Sequence, residues 1–143
     1  MIPHRDPSAV LPSNFEPAET RFVEMVFPEQ ANHYGTLFGG TALSLMGKAA
    51  FVAASRRARC AVVMATSDKV EFHHPVAVGQ LVEIAAYVSR VGRSSMTVEV
   101  GVTAETLVSG ERRLAMHGRF EMVAVDQAGL PIPIPENSVP KEA

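Results

Sequence analysis

The chain has 143 residues, 47% of them apolar and 20% charged, with a formal net charge of −2. That length supports one domain with its own core, and the balance is ordinary for a globular protein. The small net charge excludes a basic footprint for nucleic acid or an anionic membrane, and the single Cys60 excludes an internal disulfide.

Residues 1–18 hold Pro3, Pro7, Pro12 and Pro17 without a periodic pattern and read as an irregular lead. No apolar h-region follows Met1, so no signal peptide is expected and the cytoplasm is the default location. Thr20 to Phe27 is β-branched and aromatic, a first strand that Pro28 ends. Asn32, His33, Tyr34 and Gly35 then form a loop that passes through Gly39-Gly40 into a helix over Thr41 to about Ser55. Ser44 and Lys48 are its only clearly polar interior residues. A helix apolar nearly all round requires something to wrap it. Lys48 and its short length exclude a membrane span. The Gly-Gly start leaves backbone N–H groups bare, which suits a negative oxygen.

Beyond Cys60 the period changes to two. Cys60 to Phe72, Leu81 to Arg90, Ser95 to Glu105 and Arg112 to Ala124 read as strands. In the third of these, Met96, Val98, Val100, Val102 and Ala104 share the inner face. In the fourth, Leu114, Met116, Phe120 and Met122 are expected there. Cys60 lies in an apolar run, as a buried reduced thiol would. Residues 131–143 form a proline-rich tail, expected to be extended. One apolar helix beside several antiparallel strands gives an α+β domain over residues 19–130. A single sheet covers such a helix by curling round it. Its edges and the helix's open side are then left for a partner copy.

Four blocks carry a resemblance: Asn32-x-x-Gly35-x-x-Phe38-Gly39-Gly40, Phe72-His73-His74-Pro75-Val76, Val91-Gly92-Arg93-Ser94-Ser95, and Val123-Ala124-Val125-Asp126-x-x-Gly129-x-Pro131. In this order and spacing the chain resembles the hotdog-fold acyl-CoA thioesterases, from about Arg21 to Pro135. The closest type is the small bacterial acyl-CoA hydrolase, similar also to each half of the cytosolic brain-type enzymes. The resemblance implies a central helix wrapped by about five antiparallel strands. It also implies homodimers with one continuous sheet, three dimers to a hexamer, and sites shared between subunits. The expected ligand is acyl-CoA. The CoA thioester is the substrate, with no separate cofactor and no metal.

By the same resemblance, Asn32 helps place the thioester or the attacking water. The plain alternative is a loop asparagine capping its own turn. Gly39 and Gly40 would offer an oxyanion N–H, or simply allow close helix packing. Gly47 is the departure. The family carries Asp or Glu seven residues after the second glycine, and here that position has no side chain. Asp68 is the candidate substitute, with Glu71 nearby; both also read as solvated strand carboxylates. His73 and His74 read as structural or surface residues, since no nucleophile or metal spacing accompanies them. The resemblance sets Arg93, Ser94 and Ser95 near CoA, where a guanidinium suits phosphate. A solvated hairpin tip is the alternative. Arg56, Arg57 and Arg59 complement the helix C-terminus first.

Two functions follow. One is acyl-CoA hydrolysis, slowed by the missing acid, which Gly47→Asp alone is expected to quicken by at least about tenfold. The other is a hotdog protein that binds acyl-CoA, or serves as a partner subunit, without turnover. Hotdog dehydratases and hydratases are weaker fits, because their His–acid pairing has no counterpart here.

Overall fold

The computed structural model describes residues 19–136. The expected lead over residues 1–18 and the last seven residues of the tail lie outside them. The elements are β1 (Thr20–Met25), α1 (Gly39–Ala58), β2 (Val62–Phe72), β3 (Leu81–Val91), β4 (Ser95–Glu105) and β5 (Arg112–Ala124), with one 3-10 turn at Pro28–Gln30. The five strands form one antiparallel sheet in the order β1-β3-β4-β5-β2. α1 lies across it and touches all five strands. This is the α+β architecture that the sequence predicts.

The helix is longer than periodicity suggests. It starts at Gly39 and runs to Ala58, where Arg59 in the left-handed region stops it. Ala42, Ala49, Ala50, Ala53, Ala54 and Ala58 face the sheet. Their small side chains let the helix axis come close, and Met46 fills the remaining depth. Opposite them, Ile84, Met96, Val98, Val100 and Met122 are fully buried. Each such large side chain contributes about 1.5–3 kcal/mol through burial.

The inner face of β4 is as expected. On β5 one residue is not: Leu114 is exposed, and Ala115 is buried in its place. The register steps from Val102↔Met116 to Thr103↔Leu114, which makes Ala115 the extra residue of a bulge. One added residue reverses the facing of everything before it. Leu114 therefore packs on the outer face, near Gly101. The bulged Ala115 carbonyl accepts from the backbone N–H of both His73 (2.7 Å) and His74 (3.2 Å).

The outer face is charged. Glu99 receives Arg119, His117 and the Ser89 hydroxyl, and Arg112 bridges Glu105 and Glu83. The Glu105 hydrogen bond and the Glu83 charge raise the Arg112 pKa above its ordinary value. The described part of the tail belongs to the domain. Ile132 N–H donates to the Ala124 carbonyl and Ile134 N–H to that of Arg93, and Ile134 packs on the core. Cys60 is half-buried against that core.

Candidate active site

The loop before α1 is shaped by Asn32. Its Oδ1 accepts from Tyr34 N–H (2.9 Å), Thr36 N–H (3.2 Å) and the Thr36 hydroxyl (3.1 Å). Gly35, at φ 78°, closes the turn by donating to the Asn32 carbonyl. The loop is fastened to the segment after β2 by Leu37 N–H to the Val76 carbonyl and Val78 N–H to the Gly35 carbonyl. The loop-capping reading of Asn32 is seen directly. Its oxygen is committed to the loop, while its amide nitrogen has no protein acceptor among the described residues. Two backbone N–H groups point at one atom, which identifies that atom as the oxygen.

Beside it, α1 starts without a side-chain cap. Phe38 N–H is used by the Gln30 carbonyl, and the first intrahelical bond runs from Ala42 N–H to the Phe38 carbonyl. The N–H groups of Gly39, Gly40 and Thr41 have no acceptor among the described residues. Those are the orphan donors at the positive end of the helix. The ring of Phe38 leans over Gly40, where a Cβ would lie 2.7 Å from it. Glycine thus serves packing and exposure of the backbone at once. A cavity of about 280 Å³ adjoins this start, lined by Thr36, Leu37 and Gly39, by Phe72 to Val76, and by Met116.

Further along α1, Gly47 lies on the side facing β2. An ideal Cβ there would stand 3.2 Å from Met64 Cε. Met64 pairs with the fully buried Met122 and so points to the helix side of the sheet. Lys48, one residue on, lies over Phe22 of β1, with Nζ 5.9 Å from the ring centroid.

The matching family model is the thioesterase superfamily, over residues 34–111. The chain belongs to the thioesterase superfamily. The uncharacterized acyl-CoA thioester hydrolase YkhA of Bacillus subtilis is 39% identical over 84% of this chain and 74% of its own length. Among solved structures, an apo-hexameric acyl-CoA thioesterase superposes with a TM-score of 0.80 at 39% identity, covering 82% of this chain and 76% of that one. A Staphylococcus aureus acyl-CoA hydrolase, solved with butyryl coenzyme A and coenzyme A, gives 0.78 at 32% identity, covering 82% and 72%. Solved variants of that enzyme change one asparagine, one aspartate or one threonine to alanine. Successive positions of those three lie fifteen and seventeen residues apart. Asn32, Gly47 and Met64 have those same separations.

Within one chain of this superfamily member, Gly39 joins Thr36 and Leu37 of the Asn32 loop at the cavity, with Gly40 next to it in α1. The other sequence-predicted site residues do not join them. Asp68 pairs with Arg119, directly opposite in register, so it lies on the outer face of the sheet, away from α1. Inward-facing Ser67, opposite Phe120, is its polar neighbour on the helix side. Arg93, Ser94 and Ser95 form the β3–β4 turn at the other end of the sheet. There the Ser94 carbonyl accepts from Ala124 N–H, and the tail that binds the Arg93 carbonyl also meets Arg57 near the end of α1. α1 has twenty residues, about 30 Å at 1.5 Å per residue, so this turn is a helix length from Gly39.

Sequence reasoning passed over Phe72, His73 and His74 as site walls, although their block was visible. It also passed over Met64. Nothing local marks a strand methionine that faces a helix glycine.

Proposed function

We propose that the protein is an acyl-CoA thioester hydrolase. The observation that carries this is the bare start of α1 beside a cavity whose wall includes Thr36, the residue that Asn32 holds. The N–H groups of Gly39 and Gly40 polarise the thioester carbonyl, and Asn32 donates to the same oxygen or to the attacking water. Water adds to the carbonyl carbon, the C–S bond breaks, and the CoA thiolate leaves and takes up a proton. Donors aimed at a developing oxyanion are commonly the largest single term in such chemistry. Thiolate is a good leaving group, so little is asked of a general acid. A base that deprotonates the water contributes about 100- to 10,000-fold where one is positioned. Gly47 offers none, and Asp68 faces the other way. The reaction is therefore slow.

The working unit is a homodimer, grouped as a trimer of dimers. Three features support it. The β2 edge is eleven residues long and has no strand beyond it among the described residues. The helix stripe beside that edge is apolar and open. Arg93 reaches a helix N-terminus only if a second copy presents one. An antiparallel two-fold across β2 sets the Arg93 turn of one subunit toward the α1 start of its partner, where it meets CoA phosphate. One solved relative is hexameric, a number that three dimers make. No helix among the described residues is long and apolar enough to cross a membrane, and we assign the protein to the cytoplasm with its CoA ester substrates.

A second reading, acyl-CoA binding without turnover, is favoured by the same Gly47. Purified protein incubated with butyryl-, octanoyl- and palmitoyl-CoA, with released thiol trapped chromogenically, separates the two. Slow enzyme-dependent release of CoA is expected. Tight binding by calorimetry with no release above background selects the binding protein. Neither binding nor release refutes both.

A further inference from the structure

We propose that Met64 is the positioning residue that closes this site to a base and lines it with hydrocarbon. The inference rests on the thioester reading and concerns the stretch of α1 two turns beyond the cavity at its start. Leu43, Gly47 and Phe51 are four residues apart and share one stripe of α1. Leu43 and Phe51 stand 41% and 47% exposed, and the glycine between them makes a dip. Met64 reaches into that dip from β2. Its Cε, 3.2 Å from an ideal Cβ on Gly47, is the only atom among the described residues within 4 Å outside the glycine's own neighbourhood. A side chain at position 47 requires that methyl to give way by a few tenths of an ångström. A carboxylate placed there would meet a thioether, which offers no donor, and would lose water once a second copy covers this stripe. Both effects push the acid toward its neutral form and away from service as a base.

The spacing adds a second, independent observation. The S. aureus hydrolase has aspartate and threonine at positions separated as Gly47 and Met64 are here. A threonine hydroxyl can donate to a neighbouring carboxylate; a methionine cannot. The two differences are therefore one change: the acid's side chain is gone, and methionine fills the room it leaves. Met is suited to this, being unbranched and adaptable. The wall left at mid-helix is apolar, and the ligand it suits is the hydrocarbon of an acyl group. It follows that Gly47→Asp alone, which the sequence points to as sufficient, is not.

The test uses the full chain as wild type, Gly47→Asp, Met64→Thr and the double variant. For each, kcat and KM on butyryl-CoA, CoA affinity by calorimetry and Tm are measured. Gly47→Asp should lower Tm, and Met64→Thr should relieve that loss. The double variant alone should raise kcat, by about tenfold or more, while neither single change raises it. The proposal is overturned if Gly47→Asp matches the double variant. It is also overturned if the double variant folds and binds CoA but is no faster than wild type. If no protein binds or hydrolyses the thioester, the functional reading falls instead. The melting cycle then still decides whether Met64 occupies the slot: additive Tm shifts refute it.

Discussion

Asn32 and Thr36 are tied three ways: Asn32 Oδ1 accepts both the amide and the hydroxyl of Thr36, and Asn32 N–H returns a bond of 2.8 Å to the Thr36 carbonyl. The side-chain oxygen is thus a structural group, and the nitrogen on the same carbon is the one left for chemistry.

That division makes a clean experiment. Asn32→Asp keeps an acceptor for the loop and deletes the donor, whereas Asn32→Ala deletes both. Loss of an oxyanion donor typically costs about 100- to 1,000-fold in kcat. Asn32→Asp should show a loss of that order with a Tm close to wild type. Asn32→Ala should lose both activity and stability. Equal Tm losses in the two variants would mean that the oxygen does not hold the loop.

Gly40 invites a test of sign. Alanine in place of glycine inside a helix ordinarily gains up to about 1 kcal/mol. Here the added Cβ would sit 2.7 Å from the Phe38 ring, and forcing atoms into filled space costs about 1–3 kcal/mol. Gly40→Ala should therefore lower Tm in wild type and raise it in a Phe38→Ala background. Thermal melts of the four proteins check this. A rise in both backgrounds would show that the ring simply swings aside.

The fold was legible because the signals are long. A period-two stretch such as Ser95 to Glu105 is eleven residues of agreement, and an alanine-rich helix between glycine and arginine has few alternatives. Leu114 was misread because a bulge is one residue, and nothing in Arg112 to Met116 marks which one is extra. Asp68 kept two readings for the same reason. Register shifts between Met64 and Thr66 and between Asp68 and Glu71 decide its facing, and alternation alone does not carry them. The Asn32 turn and the glycine start of α1 were legible because backbone and short polar groups act close to where they stand in sequence. Met64 was not, because its partner is seventeen residues away and visible only across the helix–strand gap.

Asp68 yields a further expectation. With its strand partner Arg119 on the outer face, Asp68→Asn should leave kcat on acyl-CoA within about twofold of wild type, as distant surface changes do. A loss of tenfold or more in a folded protein would show that assembly brings this carboxylate to a neighbouring subunit's thioester.

The Arg93 turn and the start of α1 lie at opposite ends of one chain, which links affinity to assembly. A charge-assisted hydrogen bond contributes about 1.5–3 kcal/mol, so Arg93→Ala should weaken CoA binding by roughly 10- to 100-fold in calorimetry. Dephospho-CoA, which lacks the ribose 3′-phosphate, should narrow the gap if that phosphate is the one met. Unchanged affinity for CoA would leave Arg93 as a solvated hairpin residue.

Phe51 tests the assembly itself. It stands 47% exposed on the open stripe of α1, while Val63 and Met64, also exposed, sit on the adjoining edge strand. A lone chain would leave this apolar stripe and the hydrogen-bonding edge of β2 in water together. Pairing β2 with β2 of a second copy satisfies the edge and brings the two helix stripes to one seam. A charge at the centre of that seam is buried without a partner, at a cost of several kcal/mol, and the two-fold doubles it. Phe51→Asp should therefore sediment as a monomer at micromolar concentration where wild type does not. It should also lose CoA affinity as Arg93→Ala does, because each site then lacks the other subunit's turn. A Phe51→Asp protein that stays assembled would place the interface elsewhere; a monomer with full affinity would show that one chain binds CoA unaided.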